Sequence, residues 1–221
     1  MRKYTLVIAC AIVSISSVAQ KKYDARLRKQ LDSLMVEDQR YRQYMNTDAK
    51  SREALDSLWA LQGRLDSLNV VFIEQVFKAK GYPGESTVGK PANETAWYII
   101  QHSEKIKQYF PMMKEAGEKG ELPQRLVAMM EDRLLTEDDK EQVYGTQATS
   151  IPAFDSAGHQ TGVKGYVIWP IKDPEHVNER RKKAGFAETV EQNAKDMGIE
   201  YKKMTMEELR ATRQAIIYRQ P

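Results

Sequence analysis

One cysteine and three histidines in 221 residues leave little of the chemistry that small exported or metal-dependent domains are usually built on. The cysteine, Cys10, lies in the N-terminal apolar stretch, so beyond it no disulfide can staple the chain and stability must come from a packed core. With histidines only at 102, 159 and 176, a histidine-rich metal centre is not expected, and neither a metal nor a cofactor is implied. There is no HExxH, no CxxC pair, no P-loop, no GxSxG elbow and no GxGxxG after a strand. Each absence removes one familiar catalytic architecture. Charge is nearly balanced, with 34 Lys and Arg against 31 Asp and Glu, so bulk electrostatics give nucleic acid no footprint.

The one long apolar run is at the start. Arg2 and Lys3 form a basic n-region, residues 5–17 are apolar, and Ser17-Val18-Ala19 offers the small residues that a signal peptidase reads, so a secretory signal cleaved before Gln20 is expected. A rival is Val7-Ile8-Ala9-Cys10 as a lipoprotein box with Cys10 lipidated. It would leave an apolar core of residues 4–9, shorter than the roughly 7–15 residues such a core needs. Without Met1 and the rest of 1–19 the chain keeps 202 residues and, having lost Arg2 and Lys3, a net charge of +1. No stable membrane span is expected after cleavage.

The remainder reads as mainly α with a small β-hairpin: a single helical domain over 20–221 with a C-terminal helical extension and no Pro/Ser-rich linker. A first helix is expected over about 23–45, with Leu27, Leu31, Leu34, Met35, Tyr41 and Met45 as its stripe. At about 100° per residue, Asp38 and Arg42 fall about 20° either side of Leu31, in the middle of that stripe. They read either as an i,i+4 ion pair at the rim of the core or as the wall of a polar pocket. A second helix, about 51–80, carries Leu55, Leu58, Leu61, Leu65, Leu68, Phe72, Val76 and Ala79 with no charge among them, and reads as scaffold.

A third helix, 91–110, places His102 inside the arc of Ala96, Ile99, Ile100, Ile106 and Phe110, with Gln101 and Trp97 on the other side. His102 is either a satisfied core histidine or an acid-base group near a carboxylate. A short helix over 111–118 and another from about 122 follow. In the latter Arg133 interrupts the stripe of Leu122, Leu126, Met129 and Met130, while Asp132 sits at its edge. A buried arginine is costly unless paired, so Arg133 must meet Asp38 or another carboxylate, or bind an anion. Beyond Gln147 the pattern turns extended: 149–154 and 163–169 read as a hairpin that can lie as a flap over the helices, with His159 exposed in its turn. Asp173-Pro174 reads as the N-cap and first residue of a further helix, followed by helices over 187–197 and 205–218, the last opened by a Thr205/Glu208 capping box.

Asp38-Gln39 with Arg42, Val88-Gly89, Gln101-His102, Asp132-Arg133, Gln142 with Tyr144-Gly145-Thr146-Gln147, and Arg180-Arg181 before Gly185-Phe186 resemble the motifs of an uncharacterised bacterial family, a domain of unknown function. The resemblance spans about residues 31–186 and implies no activity. It implies that residues chosen by helical position are also motif residues.

Three functional readings stand at this level. In the first, a small hydrolase-like enzyme acts on an anionic substrate: His102 is general base, Asp38 or Asp132 orients it, Arg42 and Arg133 hold the anion, and Gln39, Gln101, Tyr144 and Gln147 position the substrate. In the second the same pocket binds an anionic small molecule or cell-envelope fragment without turnover. In the third the polar residues only fix the fold. Ser103 and Thr146 are conceivable nucleophiles without supporting context.

Overall fold

The computed structural model describes residues 22–45, 51–155, 157 and 159–214. The expected signal segment with Cys10, and residues 215–218 of the last expected helix, lie outside the described residues. Within them the chain is mainly helical with one two-stranded antiparallel sheet. No helix among the described residues is long and apolar enough to cross a membrane.

The first expected helix is two: α1 (Ala25–Gln39) and α2 (Arg42–Met45). Asp24 caps α1 by accepting from the Leu27 N–H at 3.0 Å. Where α1 ends, the Asp38 carbonyl accepts a hydrogen bond from the Gln62 side chain at 3.0 Å, so one of the carbonyls a helix end leaves free is satisfied by the neighbouring helix.

α3 (Arg52–Lys80) is capped by Ser51 and stopped by Gly81 at φ +71°. It has the expected length but not the expected rotation. Its fully buried side chains are Gln62, Asn69, Ile73, Val76 and Phe77, whereas Leu61 and Leu68 of the leucine stripe are exposed. The helix therefore packs through a row that is polar at one end, where Gln62 bonds Asp66, and not through the leucine stripe as a whole.

After α4 (Glu85–Val88) and a 3-10 turn (Ala92–Glu94), the expected helix over 91–110 also divides. α5 (Thr95–Ile100) is buried almost all round, Trp97 included, at 1% exposure. The chain turns over 101–105 before α6 (Ile106–Glu118) begins. Ser103 makes the turn: its hydroxyl donates to the Ile100 carbonyl at 2.8 Å and accepts from the Lys105 N–H at 3.1 Å. The break takes His102 out of the apolar arc that an unbroken helix would have given it, and His102 is exposed. Pro111 lies inside α6 and does not begin a separate helix.

α6 packs on α7 (Gln124–Glu137), and with α1, α3 and α5 they enclose the main core around Leu31, Ile73, Ile100, Met113 and Leu126. β1 (Ala148–Phe154) pairs with β2 (Gln160–Ile168), and the ladder slips at Ile151/Pro152, where proline's missing donor is tolerated. The hairpin does not lie as a flap on the helical core: its buried Ile151, with Trp169 just beyond β2, meets Leu209 of α10 (Met206–Gln214).

α8 (Val177–Lys183) and α9 (Val190–Asp196) add a smaller core of Ile168, Ile171, Val177, Val190 and Ala194. Pro174 does open the 3-10 turn before α8, but Asp173 is left-handed and does not cap it; its carboxylate takes His176 at 2.9 Å. The Thr205/Glu208 capping box closes as expected, at 2.8 and 3.1 Å.

Candidate functional site

Asp132, Gln142, residues 143–147, Arg180 and Arg181 belong to one polar network and Asp38, Gln39 and Arg42 to another. The first locks the loop after α7. Asp132, 0% exposed, accepts from the Val143 N–H (2.7 Å) and Tyr144 N–H (3.0 Å) on one carboxylate oxygen, and from the Thr146 N–H (3.0 Å) and hydroxyl (2.9 Å) on the other. Burial pushes its carboxyl above the usual range while these donors pull the other way.

The carbonyls of the same loop are taken one by one. Arg180 donates to Val143 at 3.0 Å, Arg181 to Tyr144 at 2.9 Å, Asn193 to Gly145 at 3.0 Å and Gln142 to Gln147 at 2.9 Å. Gly145 is at φ +70°, and a Cβ there would lie 2.5 Å from Val190 and 2.8 Å from Ile171. Only glycine meets both demands. The Arg181 guanidinium, 1% exposed, also pairs with Glu188 at 2.9 Å and lies 4.3 Å from the Phe186 ring centre. In this network Asp132, Tyr144 and Gln147 make no hydrogen bond to His102 among the described residues; the network's hydrogen bonds join α7 to the C-terminal helices. Arg181 and Gln142 are its buried members that helical-wheel reasoning did not select.

The second network lies where α1, α2 and α3 meet. Arg42 stands between two carboxylates, 2.6 Å from Asp66 and 3.6 Å from Asp38. Gln39 donates to Asp38 at 2.7 Å, and Gln62 donates to Asp66 at 2.8 Å as well as to the Asp38 carbonyl. Three buried atoms of this cluster, Asp38 Oδ1, Arg42 Nε and Gln62 Oε1, have no hydrogen-bond partner. Burial raises the Asp38 carboxyl, Arg42 opposes that and Asp66 adds to it. Gln62 and Asp66 were missed in the sequence, although Gln62, Asp66, Asn69 and Ile73 recur at helical spacing.

His102 and Arg133 adjoin this cluster electrostatically. The His102 pKa is lowered from 6.5 to about 4, first by desolvation, then by the positive charge of Arg42; Asp66 pulls it back and Arg133 lowers it further. Arg133 is half-buried, and burial disfavours its charged form. Its guanidinium has no hydrogen bond or ion pair among the described residues; Glu137, one turn on, acts on it only through space. Gln101, half-buried in the turn beside His102, has no side-chain partner there either. No group of three or more His, Cys, Asp or Glu among the described residues is placed to hold a metal ion.

A mainly helical domain with a hairpin, a locked motif loop and a half-open arginine-carboxylate cluster is thus defined. Residues 25–197 match a family of unknown function (DUF6624), and the chain belongs to that family. No curated protein and no solved structure matches it.

Proposed function

We propose that this is an exported domain that binds an anionic ligand, a small molecule or cell-envelope fragment, through Arg133 with His102 and Arg42 beside it. The observation that carries the reading is Arg133: a half-buried guanidinium without an acceptor among the described residues, on a protein whose buried arginine, Arg181, is fully paired. Burial disfavours the charged form of Arg133, and a bound anion would offset that. A neutral imidazole next to it adds a hydrogen-bonding group without a competing charge.

Binding accounts for the residues better than hydrolysis does. A general base works best with a pKa near the working pH, and the surroundings move His102 away from neutrality towards about 4. Asp132, the alternative orienting carboxylate, is saturated by the loop it holds.

The test is a calorimetric and NMR titration with phosphate, sulfate, short carboxylates and anionic cell-wall fragments, on the natural chain and on Arg133→Gln. Saturable binding that Arg133→Gln removes, with the helical circular dichroism unchanged, supports the reading; no binding, or binding that Arg133→Gln leaves intact, rejects it. Export rests on the basic, apolar and small-residue order of residues 2–19. N-terminal sequencing of protein from the native envelope is expected to begin at Gln20, and a start at lipidated Cys10 or at Met1 refutes that cleavage.

A further inference from the structure

A cleft of about 500 Å³ lies between α1 and the 3-10 turn with α5, and none of Arg42, His102 and Arg133 lines it. Clefts of this size hold small organic ligands. α1 supplies Asp32, Met35 and Gln39 at steps of three and four, so all three share one face of the helix. The opposite wall is Glu94 and Thr95, with Tyr98 one turn beyond.

The polar groups of the cleft are mostly acceptors. Glu94, whose side chain is 16% exposed, gives one carboxylate oxygen to Arg125 at 3.0 Å and has no hydrogen bond on the other among the described residues. Asp32 is 3.9 Å from Arg28, beyond hydrogen-bond reach. Gln39 donates its amide nitrogen to Asp38 at 2.7 Å, which leaves its carbonyl oxygen as the free acceptor. No lysine, arginine or histidine among the described residues lines the cleft. Thr95 points to an occupant independently of the carboxylates: it lines the cleft at 1% exposure, and its hydroxyl makes no hydrogen bond among the described residues. Polar groups so buried are nearly always bonded.

We propose that this cleft is a second binding site, for a small organic molecule that carries a protonated amine. An ammonium brings three N–H donors and no acceptor, which matches a wall of carboxylate and carbonyl oxygens joined by one hydroxyl. Its charge is attracted by Glu94 and Asp32, whereas an anion of the kind proposed for Arg133 is repelled. Met35 and the Tyr98 ring, held edge to face with Trp97 at 5.0 Å, cover the apolar body of the molecule, and an aromatic face also favours a cation. The site does not rest on the anion-binding reading.

The experiment is an NMR titration of the full chain with n-hexylamine near neutral pH, beside hexanol and hexanoate as the neutral and anionic molecules of the same length. Saturable shifts centred on Met35, Gln39 and residues 94–98 are expected with hexylamine, binding about tenfold weaker with hexanol, and none with hexanoate. Two substitutions leave the Glu94–Arg125 pair in place. Thr95→Val removes a hydrogen bond to a charged group and is expected to weaken hexylamine about tenfold, and Asp32→Asn, at a half-exposed position, about threefold, with the helical circular dichroism unchanged in both. No saturable shift at these residues, hexanol bound as tightly as hexylamine, or hexylamine binding that Thr95→Val leaves intact overturns the proposal.

Discussion

Replacing Asp132 separates a structural role from a catalytic one. The carboxylate satisfies three backbone N–H groups and one hydroxyl in a site closed to water. A hydrogen bond to a charged group contributes roughly 1.5–3 kcal/mol, and each buried donor left without a partner costs about 1–3 kcal/mol. These terms overlap, and the Asp132→Ala loop can open to water, so the expected loss is about 3–5 kcal/mol, at the upper end of what single substitutions do. Asp132→Asn keeps one acceptor oxygen and turns an amide N–H₂ towards donors, and about 2–3 kcal/mol is expected. Thr146→Val removes only the hydroxyl, for about 1 kcal/mol. The measurement is urea unfolding followed by circular dichroism, read as the midpoint at constant slope. The order Ala, then Asn, then Val is the content of the prediction. An Asp132→Ala loss below about 1 kcal/mol, or an Asp132→Asn chain of natural stability that has lost anion binding, refutes the structural assignment.

The histidines should titrate apart by NMR: His102 below 6.5, because burial and the two arginines oppose its charge, and His176 above, because Asp173 bonds it. Since the folded His102 value lies under the unfolded one, its contribution to stability is complete above pH 6.5 and is lost as pH falls towards 4. A His102 value at or above 6.5 contradicts the arrangement. Gln62→Leu strips the donors from the Asp38 carbonyl and Asp66 and is expected to cost about 1–3 kcal/mol of unfolding free energy; a neutral result means that the α1 end finds water instead. Gly145→Ala forces a Cβ into Val190 at a left-handed φ and is expected to cost about 2–4 kcal/mol in the same assay. Wild-type stability would show that the loop is free to shift.

The sequence made local features legible and left long-range ones hidden. The Asp38/Arg42 pair, the extent of α3, the hairpin and the Thr205/Glu208 box depend on residues within one or two turns, and each is present. The turn over 101–105 depends on one serine hydroxyl replacing helix hydrogen bonds, and Ser103 carries no such mark in an otherwise periodic stretch. The wheel placed Asp132 at the edge of α7 and Arg133 in its apolar stripe; burial is the reverse, because residues 143–146 cover the Asp132 face. No helical wheel contains a loop eleven residues downstream. For α3 the eye follows leucines, while the domain packs on the row through Gln62 and Ile73, so two stripes were merged into one.

Asp132 and Arg133 are adjacent, and about 100° separates their directions on the helix. That angle explains how one dipeptide serves both networks. Asp132 ties α7 to a loop whose carbonyls are held in turn by Arg180, Arg181 and Asn193, so α7 cannot rotate about its axis without breaking bonds on two further helices. Arg133, with no hydrogen bond or ion pair among the described residues, takes its orientation from that constraint. Its long side chain stays free to meet a ligand while its Cα is fixed relative to the turn that carries His102, since α6 joins that turn directly and packs on α7. A free guanidinium on a rigidly held backbone loses little on binding beyond its own rotamers. If Arg133 holds an anion as proposed, the locked loop preorganises that site from a distance.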